Sequence, residues 1–168
     1  MTASPTMLPR CVAIAIAASS MAACSTQRPL QADRSAQAAV HERVDELLRR
    51  YAANDEDGVA AMLDPRHIAI YGSDASEVVH SVDELRQLMR NDFALWGTAS
   101  FGAIQDFDFR TDGTLATTFF SVPFTPGPMQ PLQVRFSMTW RNVDGQWLLT
   151  QSANAVPTVG QSAADLLK

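Results

Sequence analysis

The chain has 168 residues, 46% of them hydrophobic, with 18 acidic and 13 basic side chains and a net charge of −5. That is one domain's worth of chain, long enough to bury a core without disulfides or metal staples. The basic residues are scattered and Lys168 is the sole lysine, so no cationic patch forms and nucleic acid is not expected as a partner.

The first residues read as an address rather than as structure. Arg10 is the only charge before Cys24. An apolar run from Cys11 to Ala18 follows it, and small residues from Ser19 to Ala23 lead up to Cys24. A basic start, a short apolar centre and a small-residue exit are what a secretory signal requires. The run is too short to span a bilayer, which takes about 20 residues. Residues 1–23 are therefore expected to be a signal peptide, leaving 145 residues (168 − 23). Met21-Ala22-Ala23-Cys24 resembles the lipobox of bacterial lipoproteins, with Met21 where that family usually has Leu. The resemblance implies that Cys24 is lipidated and that the protein sits in the cell envelope, on the outer membrane facing the periplasm. The alternative is cleavage after Ala22 or Ala23, which leaves Cys24 as a free thiol. With Cys11 removed, Cys24 is the only cysteine and no disulfide can form within one chain.

Residues 24–34 are polar, carry Pro29 and show no apolar period, as in a tether. The folded domain is expected over residues 35–160, with 161–168 as a C-terminal tail. Val40, Val44, Leu47, Leu48 and Tyr51 draw one stripe at helical spacing. Asn54 or Asp55 can cap a short second helix that turns Val59, Met62 and Leu63 inward and stops at Pro65. Ile68 to Tyr71 is a brief strand. Ser81-Val82-Asp83-Glu84 is a capping box, and the helix it opens carries Val82, Leu85, Met89, Phe93 and Trp96 on one side, with Gly97 past its end.

After Gly97 the period switches to two. Phe101, Ala103, Gln105, Phe107 and Phe109 alternate with Asp106, Asp108 and Arg110, and Asp112-Gly113 marks a hairpin turn. Leu115 to Val122 returns, and Thr125 to Pro131 is expected to be a stiff loop because its prolines cannot donate to a ladder. Leu132, Val134, Phe136, Met138 and Trp140 alternate with polar residues. Asp144-Gly145 turns the chain into a last strand from Trp147 to Ala153. Helices first and an antiparallel meander afterwards make an α+β plan, three N-terminal helices covering the apolar face of one mostly antiparallel sheet.

This order resembles the nuclear transport factor 2-like superfamily, and within it the SnoaL-like domains, over about Ser35 to Thr158. Three segments carry the likeness: Arg50-Tyr51 before an Asn-Asp-rich turn, Gly72 to Glu77 before the capped helix, and Arg135 to Trp147 around an Asp-Gly turn. The resemblance implies a cystatin-like, cone-shaped α+β fold whose curved sheet and helices enclose a pocket. It does not imply one activity, because fold and function are separable.

Members resembling ketosteroid isomerase use a carboxylate base, a tyrosine and a protonated carboxylic acid. Tyr51 stands where that tyrosine sits. Ile68 to Tyr71 and Leu132 to Trp140, where the two acids would lie, contain none. Asp74 and Glu77 are the weak catalytic candidates left. Asp74 in a turn more often bonds its own backbone, and Glu77 is otherwise a solvated acid. His41, His67 and His80 stand alone and Asp55 to Gly58 lacks the first and last ligands of a calcium loop, so no metal and no cofactor is expected. Tyr51, Tyr71, Met89, Trp96, Phe136, Met138, Trp140 and Gln151 are expected to line the pocket, unless they simply fill the core. The leading reading is a binder of a small apolar molecule, anchored to the membrane through its lipid. The alternatives are an isomerase, hydratase or cyclase acting on a small cyclic substrate, and a homodimer formed through the outer face of the sheet.

Overall fold

A computed structural model describes residues 34–160 and Ala164. The expected signal peptide and Cys24 lie outside the described residues, as does the C-terminal tail apart from Ala164.

Helix α1 (Arg34–Ala52) buries Val40, Val44, Leu47 and Leu48, the stripe read from the sequence. It stops in a two-bond C-terminal turn. The Asn54 amide donates to the Tyr51 carbonyl and the Asp55 amide to that of Arg50, with Asn54 at a φ of 54°. Asp55 then caps α2 (Glu56–Ala60) by accepting from the Gly58 amide, while its other oxygen receives Arg50 at 2.8 Å. A Cβ at Gly58 would overlap both groups, so a side chain there would have to displace the Arg50 and Asp55 side chains. Val59 of α2 and, beyond that helix, Met62 and Leu63 are buried.

Two short strands follow, β1 (Ala69–Tyr71) and β2 (Val78–Val79). Two residues with a loop between them leave no readable period, and β2 is not visible in the sequence. Ser81 caps α3 (Val82–Trp96) as expected, but Glu84 reaches one residue further back, accepting from the His80 amide at 2.6 Å. Gly97, at a φ of 71°, closes the helix.

The expected single strand through Phe101 and Phe109 is two, β3 (Ala99–Phe101) and β4 (Gln105–Thr111), because Gly102 to Ile104 leave the ladder. β5 (Leu115–Pro126) runs on through Pro123 into what was expected to be loop. The prolines are tolerated because their carbonyls still bond: Pro123 accepts from Gly102 and Pro126 from Met129. β6 (Leu132–Val143) and β7 (Gln146–Ala155) complete a seven-stranded sheet in the order β2-β1-β7-β6-β5-β3, with β4 also paired to β5. Among the strand pairs of the described residues only β1–β7 is parallel, and an isolated bridge from Leu63 to Leu149 is parallel too.

The helices cover one face. α1 lies against β3, β4 and β7, and α3 against α2 and β2. The core between the layers holds Trp140, Met89, Val40, Val44 and Val122, all fully buried, and Trp147 at 5% exposure. Asp64, at 1% exposure, pairs with Arg141 and accepts from the Arg66 amide, so the charge that the α2–β1 turn carries inward is neutralised.

Candidate functional site

Between the helices and the curved sheet lies a cavity of about 320 Å³. Its walls are apolar: Leu47 and Leu48 from α1, Leu85 and Leu88 from α3, and Phe136 and Met138 from β6 line it. Aromatic rings crowd one side. Phe101 stacks on Phe124 at 4.9 Å, Trp96 meets Phe124 edge-on at 5.2 Å, and Tyr51 lies 6.3 Å from Phe101. Met129 and Val156, both exposed, line the cavity where it reaches the surface.

Three polar side chains of the lining, Tyr51, Asp92 and Glu77, act on one another in one region. The Tyr51 hydroxyl, delivered by the end of α1, donates to Asp92 Oδ2 on α3. Asp92 is only 8% exposed, and its Oδ1 has no hydrogen-bond partner among the described residues. Burial raises the Asp92 pKa above the usual carboxylate range. The Tyr51 hydrogen bond opposes that rise and the charge of Glu77 adds to it. Burial also drives the Tyr51 phenol far above its ordinary value, reinforced by the hydrogen bond and the charge of Asp92, so Tyr51 stays a proton donor. Glu77, half-buried, comes from the β1–β2 turn. That turn is closed by Gly72 donating to the Glu77 carbonyl, and the Glu77 carboxylate folds over Gly72 to accept from the Asp74 amide at 3.1 Å. A side chain at Gly72 would occupy the carboxylate's place. No lysine, arginine or histidine lines the cavity among the described residues.

The residues singled out in the sequence are distributed as follows. Tyr51, Glu77, Trp96, Phe136 and Met138 line the cavity. Met89 and Trp140 do not; both are fully buried core residues, on the apolar face but covered by their neighbours. Tyr71 is 50% exposed, because strand alternation sends Ile70 to the cavity and Tyr71 to the other face. Gln151 is exposed on that outer face as well. Thr139 pairs with Gln151 but Trp140 pairs with Leu149, so Thr150 is an extra residue that reverses the parity of β7. Ser152 and Asn154 reach the cavity instead. Asp74 sits in the exposed turn, accepting from the Ser76 amide and hydroxyl, bonds that hold its pKa down.

The residue that the sequence reading passed over is Asp92. Its signal was present. It falls three residues after Met89 and seven after Leu85, on the buried stripe of an amphipathic helix, where a carboxylate is out of place. A buried acid beside Tyr51 lies on α3, not on the strands where acids were sought.

The sequence profile of the SnoaL-like domain matches residues 40–158. The chain belongs to the SnoaL-like domain family. No curated protein matches it in sequence. Among solved structures, an NTF2-like protein of unknown function from Pseudomonas putida superposes with a TM-score of 0.66 at 14% identity, covering 76% of this chain and 91% of the other. A cystatin-like-fold protein from Nostoc punctiforme gives 0.64 at 13% identity, over 73% and 92%. A Streptomyces avermitilis protein of the NTF2-like family, provisionally named a dehydratase, gives 0.66 at 12%, over 75% and 99%. At these identities the likeness is one of fold. This SnoaL-like chain therefore has the NTF2-like architecture, and its chemistry rests on its own residues.

Proposed function

We propose that the SnoaL-like domain binds a small, largely apolar molecule whose polar end meets Tyr51 and Asp92. The observation that carries this reading is a preformed, mostly apolar cavity in which Tyr51, Asp92 and Glu77 form one polar cluster, the usual anatomy of a small-molecule site. Mass spectrometry of compounds released on denaturing the purified protein tests it. A low-mass compound should co-purify with the wild-type chain and be lost from Ser152→Trp, which fills the cavity. Release of the same compound in equal amount from both proteins, or of none together with no binding from an apolar panel, would overturn the reading.

A second reading is favoured by one observation, the desolvated carboxyl of Asp92 beside a tyrosine donor. Such a group is poised for proton transfer, the step that isomerases, hydratases and cyclases share, and the provisional name of the Streptomyces avermitilis protein belongs to the same chemistry. Turnover of an unsaturated ketosteroid or a small cyclic alcohol that disappears in Asp92→Asn and persists in Asp74→Asn would establish it. We also propose that the domain is exported and held on the outer membrane through lipid on Cys24, supported by the sequence of residues 10–24.

A further inference from the structure

We propose that the ligand is an apolar amine, its ammonium group seated between Asp92 and Glu77 beside the rings of Tyr51, Phe101 and Trp96. This rests on the binding reading above and adds the charge of the occupant.

The argument is an inventory of donors and acceptors. The single hydroxyl proton of Tyr51 is committed to Asp92 Oδ2. Asp92 Oδ1 is unpartnered although the residue is more than nine-tenths buried and lines the cavity. One oxygen of Glu77 accepts from Asp74, and its carboxylate keeps further acceptor capacity. Ser73 and Ser152, with their hydroxyls, and Asn154, with its amide, also line the cavity, but the unused groups of Asp92 and Glu77 themselves are acceptors, so an occupant seated between them must bring donors. A carbonyl ligand brings another acceptor, and a carboxylate adds a third negative charge where no cation lines the wall. A hydroxyl offers one donor and no charge. An ammonium offers as many as three donors together with the charge that two neighbouring carboxylates lack.

Desolvation is the usual objection to a buried ion pair. Part of that cost is already incurred here, since Asp92 is largely buried in the folded protein whether or not a ligand is bound. The ring faces add an attraction for a cation placed within about 6 Å of their centroids. The aromatic cluster and the two acids share one cavity, so a ligand with an apolar body and a cationic head would use both.

The test uses three probes of one shape on the purified full chain at pH 7: cyclohexylmethylamine, cyclohexylmethanol and cyclohexanecarboxylate, followed by titration calorimetry. The amine should bind at least about tenfold more tightly than the alcohol, the return expected of a charge-assisted hydrogen bond, and the carboxylate should not bind. In Asp92→Asn/Glu77→Gln the amine should lose its advantage and bind no more tightly than the alcohol binds to the same variant, while a cooperative melting curve reports an intact fold. An alcohol that equals the amine on the wild-type chain overturns the charge assignment and leaves the apolar-pocket reading standing. An amine advantage that survives the double substitution does the same. If none of the three binds, the pocket reading falls and the amine with it.

Discussion

Asp92 and Asp64 are both buried carboxyl groups, but their environments push them in opposite directions. Burial dominates at Asp92 and its pKa rises. Burial also opposes ionisation at Asp64, yet the Arg66 amide and the Arg141 guanidinium outweigh it and its pKa falls. The linkage signs follow. Folded Asp92 holds its proton more tightly than the unfolded chain does, so stability is lost as pH rises from about 3.9, the ordinary aspartate value, through its folded pKa. Asp64 contributes stability above the ordinary value that is lost as pH falls through its depressed folded pKa. Asp92→Asn should therefore raise the melting temperature at pH 7, with the gain shrinking as pH falls through the raised folded pKa and gone below about 3.9. Asp64→Asn should lower it at pH 7, and that loss should also shrink in acid. Melting curves of the two variants from pH 3 to 8 check both signs. A less stable Asp92→Asn at neutral pH would mean that the Tyr51 contact outweighs desolvation. An acid kept at a cost to stability is what a functional position tends to show.

Among the elements, β7 decides which residues face the ligand. One extra residue at Thr150 sends Gln151 to solvent and Ser152 to the cavity. Gln151→Ala should leave ligand binding unchanged, whereas Ser152→Phe should abolish it by filling the cavity while the melting curve stays cooperative. Calorimetric titration of both variants with whichever probe the wild type binds tests the register directly. The neighbouring strand carries the core. Trp140 is fully buried on β6, so Trp140→Ala should lose about 3–5 kcal/mol in a urea titration, the range for a large aromatic removed from a packed interior. A loss below about 1 kcal/mol would mean that the core relaxes around the vacancy.

At the scale of the molecule, the domain and its address are separate questions. The apolar run of residues 11–18 and the Met21-Ala22-Ala23-Cys24 motif predict that the native chain partitions with membranes. More than one acyl chain gives stable anchoring, whereas one is marginal. Cys24→Ser should release the protein into the soluble fraction with its fold and its ligand affinity unchanged. Fractionation followed by mass measurement of the native N-terminus checks this. A membrane-bound Cys24→Ser protein, or an unmodified N-terminus, would remove the lipid anchor from the account.

Local chemistry made much of this fold legible in advance. The Val40-to-Leu48 stripe, the cap at Ser81, the cap of α2 at Asp55 (one of the two candidates, with Asn54), the Asp112-Gly113 and Asp144-Gly145 turns and the alternation of β6 are set by neighbours a few residues apart, and they appear in the structure at those positions. The order of helices and strands was enough to point to the SnoaL-like family. What stayed hidden depends on contacts between residues far apart in the chain. The split of β3 from β4 and the extension of β5 over Pro123 are settled by which strands pair. The reversal in β7 follows from one unpaired residue that no periodicity records. The site itself is the clearest case. Tyr51 was found because it ends the helical stripe and the resemblance puts a tyrosine there, but its partner lies 41 residues away on another helix. Only when α1 and α3 close over the sheet does a carboxylate on an apolar stripe become a desolvated acid facing a cavity.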